Sequence, residues 1–370
     1  MKKFFLTVLL CTAILSYGKQ QIVFWHVFAE PLRGGLEKLV AEYNASQKET
    51  EIKLLSVDGY DELFKKIKGL FIYKAALPDI FLGYSSWLSQ IPVDRLMVCG
   101  DILSKDISGR MNEQLLIDAQ YAGKQYGLPF NKSILMMYAN EDILKKAGID
   151  LGTARAEDLY SILEQIRKKT GKTPLAYNGG VWFFQNMLAN MGGRDPCDFK
   201  SEAGVKVLDW IRTGFKKKLI YIRSGFSFQD LWTSQEAAIV FSSIVSLQYM
   251  KDKISFSYKR YNFLKSDDGI TRSVLAGSNL YVSKDAAKIK YISDFVNWLY
   301  SKGKLEEWIY ANDYLPLSPE DKGGDIYKDL NLLSEPNDDN WFILRQKYSN
   351  VIKSSIATGE SSKALLDAID

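Results

Sequence analysis

The stretch IVFWHVFAEPLRGGLEKLVAEYN, residues 22–44, contains His26, the one histidine among 370 residues. A single imidazole excludes every multi-histidine metal centre, and any histidine-assisted nucleophile would have to work through His26. The chain has no G-x-x-x-x-G-K-[ST], no G-x-G-x-x-G opening a helix, no H-E-x-x-H and no G-x-S-x-G. Its 44 acidic residues leave a paired-carboxylate hydrolase open, since a linear sequence does not reveal the separations such a pair needs. Cys11, Cys99 and Cys197 make no disulfide framework, though Cys99 and Cys197 leave one pairing open. His26 therefore reads as a polar residue at a strand end, hydrogen-bonded near the domain surface.

Chemistry of another kind gathers in loops beside strands. Tyr84-Ser85-Ser86-Trp87 follows IFLG, Asn131-Lys132-Ser133 precedes ILMMY, and Asn178-Gly179-Gly180-Val181-Trp182 follows PLAY. Ser242-Ser243 ends AAIVF, and Ala276-Gly277-Ser278-Asn279 precedes LYVS. Aromatic rings offer flat faces to the C–H side of a polyol, and serine and asparagine meet its hydroxyls. One such loop is ordinary turn chemistry. Five at successive strand ends point to a binding site for a polar small molecule, because in α/β sheets ligands sit outside the carboxyl ends of strands.

The elements that position these loops follow from hydrophobic spacing. Ile22 to Val27 is β-rich, and Leu36, Leu39, Val40 and Tyr43 recur at helical spacing. Ile52 to Val57 is the next strand, Leu63, Ile67, Leu70 and Phe71 the next helical stripe, and IFLGY the third strand. This alternation is a parallel α/β unit. In the second half, ILMMYAN feeds a helix capped by Asn140 and closed at Gly148, AAIVFSS runs into IVSLQYMKD, and Ser283 is positioned to cap a helix bearing Ile292, Phe295, Val296 and Leu299. A chain of this length favours two domains, yet no Gly/Ser- or Pro-rich joint separates its halves, which suits domains interleaved by ordered crossings. The formal charge of +4 is too small, and its lysines and acids too interspersed, for a nucleic-acid partner. Lys2-Lys3, the apolar run Phe4 to Leu15 and Ser16-Tyr17-Gly18 read as a secretory signal peptide over residues 1–18. Cys11 after Val8-Leu9-Leu10 offers lipidation as the alternative, at the cost of leaving Ala13-Ile14-Leu15 outside.

The segments LPDIFLGYSS, YGLPFNKSILMMYANEDILKKAGID, EAAIVFSSIVSLQYM, VLAGSNLYVSKDA and ANDYLPLSPE, in this order, resemble the family 1 extracellular solute-binding proteins of bacterial ABC importers, above all the branch that binds glycerol-3-phosphate. The resemblance implies a two-lobed α/β periplasmic-binding-protein fold of type II. Its ligand cleft would lie between the lobes, with three crossover segments near 129–132, 276–281 and 313–318. One lobe would combine 19–128 with 281–313 and the other 132–276 with 318–370, and His26 would be scaffold or a secondary contact near the cleft.

Carried over residue by residue, the family's ligand positions fall on Tyr60, Ser85, Ser133, Trp182, Ser243, Gly277 and Tyr314. Trp182 would be a stacking wall, Tyr60 and Tyr314 would stack and donate hydroxyls, Ser133 and Ser243 would donate to ligand oxygens, and Gly277 would let its N–H approach closely. Two positions depart from the branch: Ser85 stands where its members have a glutamate, and DDNWFILRQKY offers only Arg345 for their phosphate-pairing arginine. The expected role is an extracytoplasmic, monomeric binding protein without cofactor, metal or catalytic residue. It would pass a sugar, oligosaccharide or glycerophospho compound to the transmembrane subunits of an ABC permease. A secreted carbohydrate-active hydrolase is the alternative, and a structural surface protein a third.

Overall fold

A computed structural model describes residues 18–152, 154–284 and 287–369. Residues 1–17 of the expected leader, Cys11 among them, lie outside the described residues. Two five-stranded sheets organise the rest. The first has the order Thr50–Ser56, Gln20–His26, Ile80–Gly83, Asn279–Val282, Gly127–Pro129. Its first three strands run parallel, with Phe24 opposite Leu54 on one side and Ile80 on the other, and Asn279–Val282 is antiparallel to both neighbours. The second sheet has the order Tyr258–Tyr261, Leu135–Asn140, Ala237–Ser243, Thr173–Tyr177, Ile220–Ile222. There Ala237–Ser243 is antiparallel to Leu135–Asn140 and parallel to Thr173–Tyr177, which is parallel to Ile220–Ile222. A late strand thus completes the early sheet, and the chain is the two-lobed α/β fold.

Each sheet carries its own core because its central strands are covered on both faces, so they read as near-continuous apolar runs. All residues of Ile80–Gly83 and of Leu135–Asn140 are buried. Against the first sheet, helix Leu32–Ser46 buries Leu36, Leu39, Val40 and Tyr43, the stripe expected from spacing. At ~1.5–3 kcal/mol per buried side chain this stripe outweighs the missing side-chain cap at Pro31, a device worth only about 1 kcal/mol. In the second lobe Asn140 Oδ1 accepts from the Ile143 N–H at 3.0 Å, and Gly148 closes the helix at φ 70°. Ser283 does not cap the following helix. That helix runs Ile289–Leu299 from Lys288, while Ser283 Oγ donates to the Pro78 carbonyl at 2.5 Å and its N–H to that of Asp79, fastening the strand end to the first lobe.

Where the chain passes between sheets, the crossing segments lie side by side. Ser133 and Ala276 exchange two backbone hydrogen bonds of 2.9 Å, Phe130 N–H donates to Ser278 O at 3.2 Å, and Leu315 N–H donates to Lys132 O at 2.9 Å.

Candidate functional site

The carboxyl ends of the parallel strands turn toward these crossings. After Thr50–Ser56 the chain reverses at Gly59, φ 80°, and Tyr60 enters the first turn of helix Gly59–Ile72. The Tyr60 ring lies 4.4 Å from that of Tyr84, which follows strand Ile80–Gly83, and meets Trp87 edge-on at 6.3 Å. Its hydroxyl donates to Ser278 Oγ at 3.0 Å and accepts from Asn131 Nδ2 at 3.3 Å. Ser278 Oγ in turn donates to Asn131 Oδ1, which also accepts the Ser278 backbone N–H at 3.2 Å. Burial holds the Tyr60 phenol above its usual range, so it remains a neutral donor.

The structure brings Ser133 and Ser243 together, 2.6 Å between hydroxyl oxygens. One proton closes that bond, so the pair keeps one hydroxyl proton and its remaining lone pairs for a ligand rather than two independent donors. Tyr138, whose hydroxyl donates to the Ser243 and Ile244 carbonyls at 2.8 Å, holds the strand end in place. Trp182 opens helix Val181–Asn190 after the Asn178-Gly179-Gly180 turn; its Nε1 donates to Val274 O at 2.8 Å, leaving the half-buried ring, not the N–H, for contact.

Gly277, φ 88°, is required by a close backbone approach: a Cβ there would lie 2.1 Å from Asn131 O. Tyr314 is buried and stacked on Trp308 at 5.4 Å, with its phenol beside the Asn131 amide, so its expected stacking face is already occupied by protein. Ser85 begins the turn Ser85–Ser89, but it is Tyr84, one residue earlier and partly exposed, that reaches Tyr60. Tyr84, Asn131 and Ser278 contact Tyr60 and were not among the positions carried over. Their loops were visible in the sequence, but which member of each loop points at Tyr60 depends on backbone geometry.

Arg345, the residue offered for a phosphate, and Lys132 of the first crossing are both engaged by carboxylates. Arg345 Nε donates to Glu335 Oε1 at 2.9 Å. Lys132 is fully buried, with Nζ 2.6 Å from Asp118 Oδ2, so it does not stand in for a phosphate-binding residue on the surface of the cleft. Burial lowers the Lys132 pKa, against the opposing pull of Asp118. Helix Asp339–Ser355 brings Phe342 to 5.4 Å from Phe64 of helix Gly59–Ile72, and the charge of Arg345 is felt at Tyr84.

His26 lies in the core rather than near the surface. It is 1% exposed, stacks on Phe28 at 5.7 Å, and its Nδ1 accepts the Phe28 N–H at 3.1 Å, which rules it out as a ligand contact. Burial first, and then the charge of Arg33, bring its pKa down to about 4 from 6.5. The native state thus binds fewer protons than the unfolded chain between those values, so stability falls as pH drops from 6.5 toward 4, by on the order of 3 kcal/mol, and is unaffected above that window. Urea midpoints at pH 7 and pH 5 are expected to differ more for the wild type than for His26→Asn; equal differences would show that His26 titrates normally. Cys99 and Cys197 are free thiols, so the pairing left open by the sequence does not form. Among the described residues no group of three or more metal-ligating side chains occurs, and no helix is long and apolar enough to cross a membrane.

The model of the family described as bacterial extracellular solute-binding protein matches residues 38–330. The sn-glycerol-3-phosphate-binding periplasmic protein UgpB of Pectobacterium atrosepticum is 22% identical over 344 residues, covering 83% of this chain and 76% of the relative. UgpB from Mycobacterium tuberculosis, solved in complex with glycerophosphocholine, superposes with a TM-score of 0.79 at 15% identity, covering 95% of this chain and 97% of its own. Maltose-bound MalE3 of T. maritima superposes with a TM-score of 0.81 at 14% identity, covering 94% and 97%.

Proposed function

The chain belongs to the bacterial extracellular solute-binding proteins, and from that premise we propose that it captures a neutral saccharide in the cleft at the crossings and delivers it to the transmembrane subunits of an ABC permease. The observation that carries the choice of ligand is the state of the cations. A free phosphate monoester is recognised best by an unencumbered guanidinium fork or ammonium. Here Arg345 is paired with Glu335 and Lys132 is buried on Asp118, whereas Tyr60, Tyr84 and Trp182 supply rings and the Ser133–Ser243 pair supplies a hydroxyl. Tyr60 meets the ligand with its face, because its hydroxyl is committed to Ser278. Tyr314 and Gly277 support the crossing behind the ligand, and Ser85 sets the turn that presents Tyr84. The lobes are proposed as 19–128 with 281–313 and 132–276 with 318–370, opening and closing as a monomer outside the cytoplasmic membrane.

A second reading, a glycerophosphodiester, is favoured by the reach of the Arg345 charge to Tyr84, since a single negative charge asks less of a partly neutralised guanidinium than a dianion does. A thermal-shift panel of maltotriose, arabinotriose, glycerophosphocholine and glycerol-3-phosphate at fixed ionic strength separates these readings. A ligand present at ~100 times its Kd adds about 2.7 kcal/mol of stability. The largest shift is expected from a saccharide, with each compound recovered chemically intact; a largest shift from glycerol-3-phosphate would overturn the argument. Trp182→Ala is expected to weaken binding of the best ligand by about 2–4 kcal/mol while leaving the protein folded, as for aromatic anchors elsewhere. Unchanged affinity by calorimetry would remove Trp182 from the wall.

A further inference from the structure

Asn131, Tyr60 and Ser278 form a closed ring of hydrogen bonds. The amide Nδ2 of Asn131 donates to the Tyr60 hydroxyl, that hydroxyl donates to Ser278 Oγ, and Ser278 Oγ donates back to Asn131 Oδ1. Asn131 and Ser278 are 4% and 0% exposed, so water does not substitute freely for a lost member. The three belong to different parts of the hinge. Tyr60 stands on the first lobe's helix Gly59–Ile72, Asn131 on the first crossing and Ser278 on the second, and the third joins through Leu315 N–H on Lys132 O and the Tyr314 phenol beside the same amide.

From this arrangement we infer that Asn131 is a positioning residue that couples the orientation of the cleft tyrosines to the geometry of the hinge. The inference rests on Tyr60 being a ligand contact only for its consequence in binding; the coupling itself exists in the ligand-free protein. In a ring each hydroxyl is donor and acceptor at once, so its bonds reinforce one another and loss of any one removes the shared part of the others. The ring also specifies asparagine: a carboxylate at 131 would accept from Ser278 but would not donate to Tyr60. A ligand that turns the Tyr60 ring therefore strains the first and second crossings directly, and lobe rotation turns Tyr60.

Hydrogen–deuterium exchange on the ligand-free protein tests this. Tyr60→Phe deletes one oxygen on the first lobe's helix and touches no crossing backbone. It is expected to speed exchange in peptides covering 130–134 and 274–279 by about fivefold, the factor that one net hydrogen bond is worth, with Ala237–Ser243 unchanged. Asn131→Asp should have the same effect, and the double variant should go little beyond either single one, because a ring is broken once. Ser278→Ala serves as the third member should Asn131→Asp fold poorly. Unchanged crossing exchange in Tyr60→Phe, or effects that multiply in the double variant, would overturn the coupling. Affinity for the ligand panel does not enter this result, so failure of the saccharide assignment and failure of the coupling are separately visible.

Discussion

Replacing Gly277 by alanine is expected to lower the unfolding free energy by about 3 kcal/mol or more. Two costs combine. An L residue at φ 88° sits outside the comfortable backbone regions, which costs of order 1–3 kcal/mol. The added methyl would also start 2.1 Å from Asn131 O, 2.9 Å from Asn131 C and 2.9 Å from Lys132 Cα, all backbone atoms of the neighbouring crossing. Those atoms are held by Ser133–Ala276 and Leu315–Lys132 hydrogen bonds, so relief requires moving the hinge itself. Gly59 is the internal control: its φ is 80°, but nothing lies within 4 Å of its hypothetical Cβ, so Gly59→Ala should cost the strain alone. Urea unfolding of both variants reads the difference. Equal losses would mean that the close approach at Gly277 is not what the glycine is for.

That contrast also marks what the sequence made legible. The tight contact of Gly277 with the neighbouring crossing was not legible, because the atom that matters there belongs to a residue 146 positions earlier. Features decided within one turn of chain were readable: the Asn140 cap, the Gly148 stop and the buried stripe of Leu36, Leu39, Val40 and Tyr43 all follow from local spacing. Ser283 failed as a cap because a distant carbonyl, Pro78 O, claims its hydroxyl. Tyr84 and Ser85 lie just past strand Ile80–Gly83, where the chain turns into Ser85–Ser89, so which of the two side chains meets Tyr60 is decided by that turn and not by strand alternation. That Ser133 and Ser243 meet across 110 residues was not legible either, because it depends on the antiparallel register of Leu135–Asn140 with Ala237–Ser243.

The ion pair behind the hinge gives the other large effect. Lys132 and Asp118 are 0% and 6% exposed, and Asn279 Nδ2 adds a 3.3 Å hydrogen bond to the same carboxylate oxygen. Removing one partner of such a pair leaves an uncompensated buried charge and costs about 3–5 kcal/mol, whereas replacing both by apolar side chains is often neutral or stabilising. Asp118→Asn is therefore expected to lose about 3–5 kcal/mol in urea unfolding at pH 7, and Asp118→Leu with Lys132→Met to recover most of it. The pH dependence has a definite sign. Burial already lowers the Lys132 pKa, and Asp118 opposes it, so losing the carboxylate lowers it further. The folded variant then binds fewer protons than the unfolded chain below the ordinary lysine value of 10.5, and its stability rises with pH across that window more steeply than the wild type's. A double variant as unstable as Asp118→Asn would show that the pair is needed for the geometry of the crossing and not merely for its own neutrality. A steeper alkaline rise absent from Asp118→Asn would show instead that the ammonium reaches water once its partner is gone.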